Sequence, residues 1–125
     1  MINAQTSKKQ TKVDFVPFNV DVNIFNAISS VASGATNDIV TYTVPVGKTF
    51  ALELVEFSGE NIANYIIYVD TDIVAYRRTW FGGSISGEFT FEGYRIAAGK
   101  VITLKVNNFR PSSADFEGRI LGGLI

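Results

Sequence analysis

The feature of this sequence that most constrains the fold is a strict alternation of apolar and polar residues. Between Phe18 and Ile24 every second residue is apolar, and the same period recurs within 40–44, 50–54 and 101–107. A period of two is that of a strand with one buried face, whereas an amphipathic helix has a period of about 3.6. No segment shows the helical period as clearly, so the sequence predicts an all-β chain.

Turn-forming residues divide this pattern into about eight short strands. Asp70-Thr71-Asp72 is predicted to form a tight hairpin turn, and the adjacent Leu54 and Val55 leave room for a bulge. Gly93 is expected to end its strand, and the small polar residues at 29–38 favour a loop. The predicted strands are 13–24, 40–44, 48–57, 65–69, 73–77, 89–91, 101–107 and 115–121.

Strands of this number and spacing predict a single antiparallel β-sandwich or jelly-roll-like domain. A chain of 125 residues is an ordinary size for one domain with one hydrophobic core. Because the alternation begins only at Val13, we predict an extended N-terminal arm at 1–12 and the sandwich at 13–125.

The predicted arm differs in charge from the rest of the chain. It carries Lys8, Lys9 and Lys12 and no acidic residue, so all twelve acids lie in the remainder. Two interpretations stay open: a solvated chain end, or an arm whose lysines dock on an acidic neighbour. The net charge of −1 gives the whole protein no field that would attract nucleic acid or an anionic membrane. With no apolar leader and no membrane-length apolar run, neither partner is expected.

The composition argues against catalysis. The chain contains no histidine and no cysteine, which removes the commonest general base, thiolate nucleophiles, disulfides and sulfur-based zinc sites. Gly82-Gly83 lacks the lysine and helix of a phosphate-binding loop. We therefore expect no enzymatic activity, no cofactor and no metal. Asp70 and Asp72 could in principle hold calcium, but aspartate is also a standard turn residue, and the turn is favoured.

The most suggestive binding residues are Trp80 and Phe81, in a glycine-rich loop that follows Tyr76, Arg77 and Arg78. These aromatics could fold back over one end of the sandwich, contact a partner protein, or stack on a sugar or nucleobase.

A second candidate contact is the apolar chain end at Leu124 and Ile125. An exposed apolar end is unfavourable, so these side chains are expected to pack on their own core or across a subunit interface.

Three segments carry a resemblance to a known group: TVPVGKTFALELVEFSG, IIYVDTDIVAYRR and RIAAGKVITLKVNN. They resemble small β-sandwich virion proteins of tailed bacteriophages, which include capsid decoration (cement) proteins and tail or fibre modules. The resemblance implies a structural role in the virion, often as a homotrimer clamped to the capsid lattice through an N-terminal arm. It implies no catalytic residue.

The leading hypothesis is a capsid decoration protein that is made in the host cytoplasm and binds between major capsid subunits as a homo-oligomer, with a trimer favoured. The alternative is a receptor- or carbohydrate-binding module on a tail or fibre. In that case Tyr76, Trp80 and Phe81 would contact the receptor.

Overall fold

The structure of the protein, a computed structural model, describes residues 21–80 and 85–125. These residues form eight strands and no helix, which confirms the predicted all-β fold. The described part therefore contains no helix that could cross a membrane. The strands β1 to β8 are Val22–Val31, Thr36–Thr43, Phe50–Gly59, Asn64–Val69, Asp72–Arg78, Ser86–Ile96, Val101–Asn107 and Ala114–Leu124.

The strands form two four-stranded antiparallel sheets that pack face to face. The first sheet has the order β1-β8-β3-β6 and the second has the order β2-β7-β4-β5. These orders are those of a jelly roll, in which the chain crosses repeatedly from one sheet to the other. The edge strands are β1 and β6 in the first sheet and β2 and β5 in the second.

The core lies between the sheets and is built from the inward residue of each alternating pair. Its centre is an aromatic cluster in which the rings of Phe57 and Tyr65 stack with centroids 4.0 Å apart. The edge of Phe116 meets Tyr65 at 6.2 Å. Full burial of one large apolar side chain contributes about 1.5–3 kcal/mol, so this layer holds the two sheets together. Other fully buried members are Ile39, Phe50, Leu52, Val55, Ile67, Ile102, Leu104 and Ile120.

The first two strands extend further into 29–38 than the sequence predicted. β1 runs on to Val31 and β2 begins at Thr36, so only a short turn separates them. Cross-strand pairing explains the difference, because the backbone of Ser30 donates to the Asp115 carboxylate at 2.8 Å. Val31 is also buried and pairs with Ala114. The predicted strand residues 13–20 and the arm at 1–12 lie outside the described residues.

A bulge in β3 changes which residues face the core. The register shifts between Leu52 and Leu54 against both neighbouring strands, which confirms the predicted irregularity. Opposite it, Glu92 and Gly93 have positive φ angles of 54° and 86°. The expected strand end at Gly93 is wrong, because glycine accepts this conformation and β6 continues to Ile96.

Candidate binding surface

β5 places polar and aromatic side chains on the outer face of the second sheet. It pairs with β4 so that Arg77 lies opposite the buried Tyr65, while Tyr76 lies opposite Ile66. Since alternate residues of a strand face opposite sides, Tyr76 and Arg78 point outward.

A row of hydrogen-bonded side chains crosses this outer face. Arg78 Nε donates to Asn64 Oδ1 at 2.7 Å, and the Tyr76 hydroxyl donates to the same oxygen at 2.9 Å. Asn64 Nδ2 then donates to Asn107 Oδ1 at 2.9 Å. Asn107 Nδ2 donates to Thr36 Oγ1 at 3.1 Å. We call Thr36, Asn107, Asn64 and Arg78 the amide row; it fixes Tyr76 in position.

Exposed apolar groups border the amide row. Ile73 is 61% exposed and Tyr76 is 55% exposed. The Arg78 guanidinium lies 4.7 Å from the centroid of the Phe109 ring, a cation–π contact. Tyr68 is half-buried beneath the Lys105 ammonium, which lies 5.4 Å from its ring centroid. We call the surface formed by Tyr68, Ile73, Tyr76, Arg78 and Phe109 the aromatic face.

Trp80 follows β5 and is 63% exposed. The residue before it is firmly held, because Thr79 N donates to Ala63 O at 3.0 Å and Thr79 Oγ1 accepts from Ala63 N at 2.8 Å. Trp80 therefore starts from a fixed backbone position and presents its indole to solvent rather than covering the core. Phe81 lies outside the described residues.

Arg77 does not belong to the aromatic face. Its Nη2 donates to the Glu88 carbonyl at 3.4 Å, and its guanidinium lies 5.5 Å from the centroid of Phe89. Both partners are in β6, so Arg77 connects β5 to the edge of the other sheet. The predicted set of Tyr76, Arg77 and Trp80 is therefore divided between two surfaces.

Sequence reasoning noted Arg78 before the aromatic loop but missed Asn64 as a site residue. The grouping of Arg78 with Tyr76 follows from the sequence, since residues 76, 78 and 80 have the same parity and share one face of an extended chain. Asn64 gave no such signal, because its role depends on side chains from two other strands, β5 and β7.

The two C-terminal residues lie in different environments. Leu124 pairs with Phe50 and packs against the core. Ile125 is joined to Thr49 by two backbone hydrogen bonds, yet its side chain is exposed. Lys8, Lys9 and Lys12 lie outside the described residues.

Asp70 closes the confirmed hairpin between β4 and β5. Its carboxylate accepts from the Val101 backbone N–H at 2.9 Å and lies 3.4 Å from Lys100 Nζ. The Val101 hydrogen bond, with a smaller contribution from Lys100, lowers the pKa of this carboxyl. The Asp70 carboxylate thus clamps the turn to β7. Within 21–80 and 85–125, no cluster of three or more acidic residues forms a potential metal site.

Comparisons of the sequence with protein-family models and with curated proteins find no match. The function is therefore inferred from the fold and from the surfaces described above.

Proposed function

We propose that the protein is a non-enzymatic structural protein of a bacteriophage virion, a decoration (cement) protein that binds between major capsid subunits. The observation that carries this proposal is the aromatic face on the outside of a jelly roll, together with the exposed Trp80 that follows β5. Tyrosine, tryptophan and arginine are the residue types that most often anchor protein interfaces. Exposed apolar surface rimmed by polar groups is typical of a contact site.

The aromatic face is organised before any partner arrives. The Tyr76 hydroxyl and Arg78 Nε share one acceptor on Asn64, and Arg78 also rests on Phe109. Side chains that are already ordered lose less conformational entropy on binding, which favours affinity. This suits a protein that must occupy many equivalent lattice positions.

The proposal includes self-association, with a trimer favoured. Several copies joined together bind a lattice at several points, and each attached copy raises the effective concentration of the next. Weak individual contacts then give stable attachment without a large interface for each copy.

A receptor- or carbohydrate-binding role on a tail is the second candidate. The exposed Tyr76 and Trp80 favour it, because sugar rings stack on such side chains. The amide row favours a protein partner instead, since Asn64 already accepts two hydrogen bonds and donates a third to Asn107. Little of its polar capacity is left to read sugar hydroxyls.

Mass spectrometry of purified particles tests the location of the protein. Decoration predicts a copy number comparable to that of the major capsid protein. A copy number of a handful would assign the protein to the tail, and absence from the particle would overturn the proposal.

Binding of purified variants to particles that lack the protein tests the surface. Tyr76→Ala and Trp80→Ala are each expected to weaken attachment by about tenfold or more, as interface anchors do. Tyr94→Ala is the matched control, because Tyr94 is also an exposed aromatic but lies on β6. Equal attachment of all three variants would contradict the proposed contact surface. Loss of glycan or cell binding with normal particle attachment would support the tail alternative.

A further inference from the structure

The outer face of the first sheet contains a groove whose charged lining consists of three carboxylates and one guanidinium. The groove measures about 320 Å³ and is lined by Phe25, Glu56, Glu88, Glu117 and Arg119, among others. Three adjacent strands supply the carboxylates: β3, β6 and β8. We call this surface the acidic groove.

Charge in the acidic groove is only partly balanced. Glu56 and Glu88 lie directly opposite each other in the β3–β6 pair, an arrangement that is destabilising for like charges. Arg119 Nε lies 3.4 Å from Glu56 Oε1. Among the residues that the structure describes, the Glu88 carboxylate has neither an ion pair nor a hydrogen bond. A cation entering the groove would therefore relieve repulsion between Glu56 and Glu88.

The acidic groove continues into a second concave region of about 540 Å³. The two regions share Ser58 and Glu117, and the second adds Glu60 and Asp115. Among residues 21–80 and 85–125, no lysine or arginine lines this second part. The two regions together therefore carry five carboxylates and one guanidinium, which favours a chain segment with several cations.

We propose that the acidic groove binds the lysine-bearing N-terminal segment, Lys8 to Lys12, of a second copy of this chain. That segment has three lysines and no acid, so the charges are complementary. In an extended segment Lys8 and Lys12 would face one side, ~13 Å apart. Glu88 and Glu117 are separated by two strand spacings across the sheet and by two residues along the strand. Together these separations give roughly 12 Å, which matches the spacing of the two lysines.

The position of the described chain start favours a second copy over the same chain. Asp21 accepts a hydrogen bond from the Leu124 backbone N–H at 3.0 Å, at the end of β1 opposite to Ala27, Ile28 and the second concave region. The alternation at 18–24 continues the period of β1 in that direction. This alternation favours an N-terminal segment that extends away from the acidic groove of its own chain. The inference rests on the proposed self-association and names the contact that produces it.

Charge reversal in the full-length protein tests this contact. One variant carries Lys8→Glu, Lys9→Glu and Lys12→Glu, and the other carries Glu88→Lys and Glu117→Lys. A control carries Asp72→Lys and Glu92→Lys, two exposed acids outside the groove. Sedimentation velocity measures self-association of each variant and of an equimolar mixture, and circular dichroism verifies folding. If the variant with Glu88→Lys and Glu117→Lys does not fold, a variant with Glu88→Gln and Glu117→Gln replaces it.

Each reversed variant is expected to self-associate at least tenfold more weakly than the wild type, while the control is unchanged. The mixture is expected to associate again, because the reversed arm matches the reversed groove. Unchanged association of either variant, or a monomeric wild type, would overturn the inference. A third outcome is that self-association recovers when all five substitutions are combined in one chain but not in the mixture. The segment would then bind the groove of its own chain, and this result would also overturn the inference. None of these outcomes depends on particle binding, so the proposed capsid contact is tested separately.

Discussion

At the scale of single residues, Tyr65 is the least satisfied group in the described core. Its side chain is fully buried, and its hydroxyl has no hydrogen-bond partner among the described residues. Burying a hydroxyl without a partner costs about 1–3 kcal/mol. The ring compensates through its contacts with Phe57 and Phe116.

Tyr65→Phe is therefore expected to raise the free energy of unfolding by about 1 kcal/mol, because it keeps the ring and removes the unpaired oxygen. Urea denaturation at neutral pH measures the change. Tyr76→Phe is the control, since it removes a hydroxyl that donates to Asn64 and should give no such gain. A loss of stability in Tyr65→Phe would show that the hydroxyl has a partner after all.

The same hydroxyl predicts a loss of stability in alkali. Burial raises the pKa of Tyr65 in the folded state above its usual value of about 10. The stability that depends on the neutral phenol is fully present below that value and declines as the pH rises beyond it. The decline approaches about 1.4 kcal/mol per pH unit, because only the unfolded state releases the proton. Denaturation curves at pH 9 and pH 11 should show a smaller decline for Tyr65→Phe, and an equal decline in both proteins would contradict the assignment.

At the scale of elements, the edge strand β5 separates a binding role from a structural one. Its alternation directs Arg78 to the aromatic face and Arg77 toward Phe89 of β6. Two neighbouring residues of the same type therefore act on opposite sides of one strand.

This separation predicts different effects of two alanine substitutions. Under the proposed function, Arg78→Ala should weaken particle attachment several-fold, because it removes a donor to Asn64 and uncovers Phe109. Arg77→Ala should leave attachment unchanged and lower the free energy of unfolding by roughly 0.5–1 kcal/mol through its lost contacts with β6. Parallel binding and denaturation measurements distinguish the two, and the reverse pattern would contradict the assigned face.

At the scale of the whole molecule, residues 21–80 and 85–125 already form both sheets and a hydrophobic core between them. The buried apolar residues come from both sheets, and β1 is already paired along its length with β8. Sheet closure therefore does not require residues 1–12.

Deletion of residues 1–12 is expected to change the melting temperature by no more than about 2 °C, because little buried surface is lost. Self-association should fall and should lose its salt dependence, since exposed charge pairing is screened over about 8–10 Å at physiological ionic strength. Melting curves and sedimentation at two salt concentrations test both. A large drop in melting temperature would show that the arm belongs to the core.

The sequence by itself determined the fold class and most strand positions. A period of two residues specifies a strand with one buried face, and the residue types Asp70-Thr71-Asp72 are a local indication of a turn. The contact of Asp70 with Val101 was added by the tertiary structure. The sequence also indicated the bulge near Leu54, because two adjacent apolar residues cannot both face the core of a regular strand.

Only the tertiary structure decided what depends on pairing between distant segments. The extension of β1 to Val31, the continuation of β6 through Gly93 and the amide row all require strands that are far apart in the chain. The same is true of the acidic groove, whose carboxylates from β3, β6 and β8 are neighbours only because the jelly roll places those strands side by side. Local preference fixes which face a side chain occupies, and sheet order fixes which side chains share that face.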